Sequence, residues 1–151
     1  MPSSYGSGYR IPSEGIVSEA IMEIMSEATT VRSQTRFHKL VLSKLKDLAQ
    51  CNVKLSALRL RRIAAKMDEV DLIIHCRQGK RRFQRLKCPV CSTTMEDIKN
   101  STLYGWTVST GKSCHVCGYW TGPKQRIPTR YVFTVEKERY IGEKMKGNDK
   151  R

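Results

Sequence analysis

Four cysteines in two Cys-x-x-Cys pairs constrain this chain more than any other feature. They are Cys88-Pro89-Val90-Cys91 and Cys114-His115-Val116-Cys117, separated by 22 residues. Two residues between thiols let each pair form a tight knuckle whose backbone amides point at sulfur, and two knuckles can close a tetrahedral four-sulfur site. Ser92 and Gly118 follow the second cysteine of each pair, where the chain must turn sharply.

Such a site suits one Zn²⁺ ion. Iron takes the same four-thiolate geometry, and Zn is favoured because no electron-transfer context is visible in the sequence. Four protein ligands leave no open position for water, so the ion is expected to be structural and to contribute folding energy. A thioredoxin-like redox role needs one pair on a βαβ scaffold, which this sequence lacks. His115 reads as an exposed knuckle side chain, and Cys51 and Cys76, with no partner at metal spacing, read as small buried residues. Between the knuckles, Leu103, Tyr104, Trp106 and Val108 punctuated by Gly105 and Gly111 predict the short strands of an antiparallel zinc ribbon. His38 and His75 lack a paired Asp or Ser at interpretable spacing, so no catalytic constellation is found and the chain is not expected to be an enzyme.

At 151 residues the chain fits one ordinary domain or two small ones. No uncharged apolar run approaches the roughly 18 residues a membrane span needs, which excludes such a span. The polar start of the sequence has no apolar signal region, so the protein is expected in the cytoplasm with its cysteines reduced.

Residues 1–12 are rich in Ser, Gly, Tyr and Pro and read as a flexible arm. From Ser13 onward, Ile16, Val17, Ala20, Ile21, Ile24, Met25 and Ala28 mark an apolar helical stripe, broad enough to serve a homodimer or larger complex as well as its own core. Ser33 caps a second helix with Phe37, Leu40, Val41, Leu45 and Leu48 on its stripe, and Ser56 precedes a third, anchored by Leu60, Ile63, Ala64 and Met67. Then Val70, Leu72, Ile73 and Ile74, a Gln78-Gly79-Lys80 turn signal, and Phe83 with Leu86 predict a β-hairpin. Three helices followed by a basic hairpin is the order of a winged helix-turn-helix, in which the third helix enters the major groove. The expected fold is thus α+β: a winged helix at 13–87, a zinc ribbon at 88–133 and a charged tail at 134–151.

Charge points to an anionic partner. The chain carries 28 Lys and Arg against 14 Asp and Glu, a formal +14, and +8 of this lies between Lys54 and Lys87. A generic solvated face would mix both signs. Arg59, Arg62 and Lys66 share the face opposite the core stripe of the third helix and are assigned to groove contact. Lys80, Arg81 and Arg82 at the expected wing tip are assigned to phosphates, with Arg77 and Arg85 beside them. Beyond the ribbon, Trp120 to Phe133 interleaves aromatic and basic residues; Tyr119, Trp120, Tyr131 and Phe133 are expected to cover the ribbon core.

The basic segment Leu55-Ser56-Ala57-Leu58-Arg59-Leu60-Arg61-Arg62-Ile63-Ala64, a hairpin, and then Cys-Pro-Val-Cys with Cys-His-Val-Cys-Gly-Tyr-Trp resembles archaeal winged-helix proteins fused to a C-terminal zinc ribbon. The resemblance covers about residues 13–133. It implies a DNA-binding transcription regulator, with Arg59, Arg62 and Lys66 in a groove and Cys88, Cys91, Cys114 and Cys117 on zinc. A short basic chain with a zinc ribbon is also similar to small archaeal ribosomal and ribosome-associated proteins, which keeps rRNA open beside duplex DNA. A third expectation is a protein-interaction module of a transcription or translation complex.

Overall fold

Three serines start three helices. The structure, a computed structural model, describes residues 10–136. In it Ser13, Ser33 and Ser56 cap helices α1 (Glu14–Ala28), α2 (Gln34–Ala49) and α3 (Ala57–Lys66), each hydroxyl accepting from the amide three residues on. Such caps satisfy amides that the first turn leaves without partners. Most of the stripes expected from the sequence meet in one core: Val17, Ile21 and Met25 of α1, Phe37, Val41 and Leu45 of α2, and Leu60 and Ile63 of α3 are buried, whereas Ile16 and Leu48, at the edges of their stripes, are exposed. No helix among the described residues is long and apolar enough to cross a membrane.

The helical core is closed by a three-stranded sheet. Strand β1 (Thr30–Val31) lies between α1 and α2, β2 (Asp71–Arg82) follows α3, and β6 (Lys124–Thr134) comes from the far end of the chain. Their order is β1-β6-β2, with both pairings antiparallel. Phe133 of β6 stacks on Phe37 with ring centroids 4.1 Å apart, so a residue distant in sequence plugs the helical core. Thr30 and Thr134 share a hydroxyl hydrogen bond of 2.8 Å, and the Val135 amide donates to the Thr29 carbonyl.

The expected hairpin within 70–87 does not form. Residues 71–82 are one continuous strand, and its partner is β6. Gly79 acts as a site of close backbone approach: a Cβ there would stand 2.7 Å from the Gln125 carbonyl oxygen. Glycine inside a strand marks such crossings as well as turns.

The remaining strands, β3 (Glu96–Ser101), β4 (Thr107–Ser113) and β5 (Trp120–Thr121), form a second antiparallel sheet in the order β3-β4-β5. This sheet and both knuckles lie between β2 and β6 in sequence. The ribbon is therefore an insertion into the first sheet, spanning about 83–123, and does not follow it as 88–133. At its neck Arg82 pairs with Lys124, and the Phe83 amide donates to the Pro123 carbonyl. At the other end of the chain, Arg10 forms a parallel bridge with Val53 and Pro12 is buried, so 10–12 are packed where an arm was expected. Thr134, which ends β6 opposite Thr30 and Asp71, and Val135, which packs on the helical core, belong to the fold where the sequence placed the start of a charged tail at 134–151. The remainder of that tail, from 137, and of the arm, 1–9, lie outside the described residues.

Candidate functional site: a four-cysteine centre beside a basic arm

Each knuckle is built as its sequence requires. The Ser92 amide donates to the Cys88 carbonyl at 2.9 Å and the Gly118 amide to the Cys114 carbonyl at 3.0 Å, closing the two turns. Ser92 and Gly118 both have positive φ, 64° and 80°, so the two residues after the knuckles carry the left-handed turn. The Val90 amide points at the Cys88 sulfur at 3.4 Å.

The four sulfurs of Cys88, Cys91, Cys114 and Cys117 lie within 4.8 Å of one another, all on buried residues, and could together hold a metal ion. Cys88 and Cys117 are 3.4 Å apart at sulfur, as are Cys91 and Cys114. Tetrahedral S₄ binding with metal–sulfur bonds near 2.3 Å sets sulfurs about 3.8 Å apart, so this cluster has the right size for zinc. The thiols also influence one another. Cys88 is held down at about 5, first by the hydrogen bond from Cys117 and then by knuckle amides. Cys117 is pushed up by donating that bond and by burial, and Cys114 is pushed up by burial. His115 is exposed, as expected.

This centre is packed against the first unit. Val90, Met95 and Tyr119 share its cluster with Ala65 of α3 and with Leu72, Ile74 and Cys76 of β2. Cys76 is thus half-buried beside the four-cysteine site, its thiol raised by burial. Cys51 is exposed, contrary to expectation, because the loop before α3 carries it outward. Arg61 ties the units together: its Nε donates to the Val90 carbonyl at 2.9 Å, its Nη1 donates to Gln34 Oε1 at 2.6 Å, and its guanidinium lies 4.6 Å from the Tyr131 ring centroid.

The aromatic cover also divides differently from expectation. Tyr119 is buried over the cysteines and donates its hydroxyl to the Arg126 carbonyl, while Phe133 belongs to the helical core. Tyr131 bridges the two cores. Trp120 is half exposed, with the Arg126 guanidinium 3.9 Å above its ring and Arg126 Nη1 donating to its carbonyl at 2.9 Å.

The basic residues singled out in the sequence fall on two surfaces. On α3, Arg62 and Lys66 are exposed, while Arg59 is partly buried and its Nη1 has no hydrogen-bond partner among the described residues. Leu58 is exposed beside them and only Leu60 is core. Arg77, Lys80, Arg81 and Arg82 are exposed along β2, and Arg85 is exposed just beyond it. The tertiary structure adds Lys124, Arg126 and Arg130, which the sequence left unassigned, by pairing β6 with β2. Gln78 faces Arg126, His75 faces Arg130, and Arg82 faces Lys124. From Leu72 to Val135 the only acidic residues are Glu96 and Asp97, and Asp97 is bound to Lys112 at 2.7 Å. The signal available in the sequence was the absence of acid in both segments.

Comparison with family models, with curated proteins and with solved structures finds no match to this chain.

Proposed function

We propose that this chain binds nucleic acid, with duplex DNA as the favoured ligand and transcription regulation as the role. It does so through α3 and the two-stranded arm of β2 and β6. The observation that carries this reading is the arm itself: Arg77 to Lys87 and Lys124 to Arg130 bring nine cations together with no acidic residue in either segment. Arg82 opposite Lys124 is a like-charge pair, unfavourable across a ladder unless an anion lies over it. Neither has an ion-pair partner among the described residues. Phosphates are the natural counterions, and Arg can grip them bidentately.

The element order supports a winged-helix reading in altered form. Helices and strands run α1-β1-α2-α3-β2-β6 with a β1-β6-β2 sheet. In this reading β2 and β6 are the wing strands, the ribbon is inserted where they would otherwise turn, and α3 offers Arg62 and Lys66 to a groove. Zn²⁺ is the proposed ion, bound by Cys88, Cys91, Cys114 and Cys117. When bound, it would crosslink the two knuckles and so stiffen the insertion, whose core packs against α3 and β2. No catalytic role is proposed.

A second reading, RNA binding at the ribosome, is favoured by one feature: the half-exposed Trp120 with its stacked Arg126, a surface suited to splayed bases. Fluorescence anisotropy with labelled duplex DNA and structured RNA, each over a range of salt, tests both. Affinity for DNA that falls steeply with salt and differs between sequences supports regulation. Preference for RNA together with co-sedimentation with ribosomal subunits selects the second reading, and no binding to either overturns both.

A further inference from the structure

The β3–β4 hairpin ends in the turn Thr102-Leu103-Tyr104-Gly105-Trp106, where Leu103 is fully exposed, Tyr104 is 84% exposed and Trp106 is 71% exposed. Large aromatic surface at this level of exposure costs free energy in water unless a partner covers it. The turn is well held. The Thr102 amide donates to the Trp106 carbonyl at 2.6 Å, the Gly105 amide to the Thr102 carbonyl at 3.0 Å, and the Trp106 amide to Thr102 Oγ1 at 3.1 Å. Gly105 has φ 82°, a conformation that favours glycine, and this lets the chain reverse between the two rings. The rings lie 6.2 Å apart at centroids and are tilted 43°, so neither covers the face of the other.

Charge selects the partner. From Ile98 to Lys124 there is no acidic side chain, and the hairpin's base joins the basic arm: Ser113 at the end of β4 pairs with Trp120, on which Arg126 is stacked. Arg82 and Pro123 at the end of the arm line one cavity with Ser109, Thr110, Gly111 and Lys112 of β4, so the aromatic tip stands three to five strand residues beyond the arm, about 10–16 Å at ~3.3 Å per residue. We infer that Tyr104 and Trp106 form a stacking site for unpaired nucleobases, and that the ligand is a DNA duplex adjoined by a single-stranded segment. The arm holds phosphates near the junction while the tip stacks on bases farther along. Bases within a duplex already have both faces covered by their neighbours, whereas unpaired bases offer a free face to aromatic side chains. This inference rests on the nucleic-acid reading given above.

The test is fluorescence anisotropy on zinc-loaded full-length protein with a blunt duplex and the same duplex carrying about eight unpaired nucleotides, enough at ~3.4 Å each to span the distance to the tip. The overhang is expected to tighten binding about tenfold or more. The double variant Y104A/W106A is expected to lose that gain while keeping the wild-type affinity for blunt duplex; both side chains are exposed, so the fold does not depend on them. The chain has two tryptophans, so W120F leaves Trp106 as sole reporter, and its emission is expected to be quenched by the overhang ligand and not by blunt duplex. Equal affinity for the two ligands, or an unchanged gain in Y104A/W106A, overturns the stacking site and leaves the nucleic-acid reading standing. Binding to neither ligand overturns both, as does tip-dependent binding to neutral lipid vesicles in place of DNA.

Discussion

Arg61 of α3 donates from Nε to the backbone carbonyl of Val90, inside the first cysteine knuckle, at 2.9 Å. This arginine, next in sequence to the exposed Arg62, is turned inward, and it couples the four-cysteine cluster to the third helix. A charge-assisted hydrogen bond of this kind contributes about 2 kcal/mol. R61A is therefore expected to lower unfolding free energy by about that amount in denaturant titration, and R61K to rescue little of it, because Lys lacks the fork that reaches Val90 and Gln34 together.

Metal content is the next test. Zinc-loaded protein is expected to contain a single equivalent of Zn²⁺ by elemental analysis, and C114S to lose it. Chelation is expected to lower the melting temperature and to expose Tyr119, detectable by near-ultraviolet circular dichroism. Because all four sulfurs must be thiolates to bind, protons compete with the ion and acidification is expected to release it. An unaltered melting temperature after metal removal would contradict a structural role for the ion.

The insertion topology makes a separate claim. A fragment of 13–87, although it contains all three helices, lacks Phe133 and the central strand of its own sheet. It is expected to be unfolded by circular dichroism, whereas a chain with 83–123 replaced by a short turn is expected to retain helical signal. In the full chain, F133A is expected to cost about 3–5 kcal/mol, as for other large buried aromatics.

Gly111 provides a backbone test of the ribbon. A Cβ on it would lie 2.1 Å from the Thr121 carbonyl oxygen and 3.1 Å from the Gly122 Cα, and backbone atoms cannot swing aside as a side chain can. G111A is expected to destabilise the protein by about 1–3 kcal/mol, measured by thermal unfolding, and to speed metal loss by disturbing the β4–β5 pairing next to the second knuckle.

For the basic surfaces, substitutions should separate affinity from specificity. R82A/K124A is expected to weaken binding to all duplex sequences alike and to reduce the slope of log K against log salt by about two. R62A on α3 is expected to narrow the difference between preferred and random sequences. An unchanged salt slope in R82A/K124A would remove the arm from the interface.

The local features were legible because each depends on residues close together in the chain. Ser13, Ser33 and Ser56 announce the helices since a cap needs only the next turn, and the 3.6-residue spacing of Val17, Ile21 and Leu45 with their neighbours reveals a buried face wherever it packs. The two Cys-x-x-Cys pairs identify the cysteine cluster, and the positions of Ser92 and Gly118 identify its turns, because a knuckle is a closed local structure.

What the sequence could not determine is which strand pairs with which. Gly79 reads as a turn residue, since a glycine needed for a reversal and a glycine needed to admit a neighbouring carbonyl look the same until the neighbour is known. Only the pairing of β2 with β6 made the four-cysteine unit an insertion, sent Phe133 to the helical core and set Lys124 opposite Arg82. Strand pairing rests on hydrogen bonds and side-chain burial between segments some 40–60 residues apart, and no local pattern encodes that choice. The paired cysteines thus identified a four-cysteine cluster that could hold a metal ion, while the tertiary structure decided that it stands at the end of a basic arm, latched to α3 by Arg61.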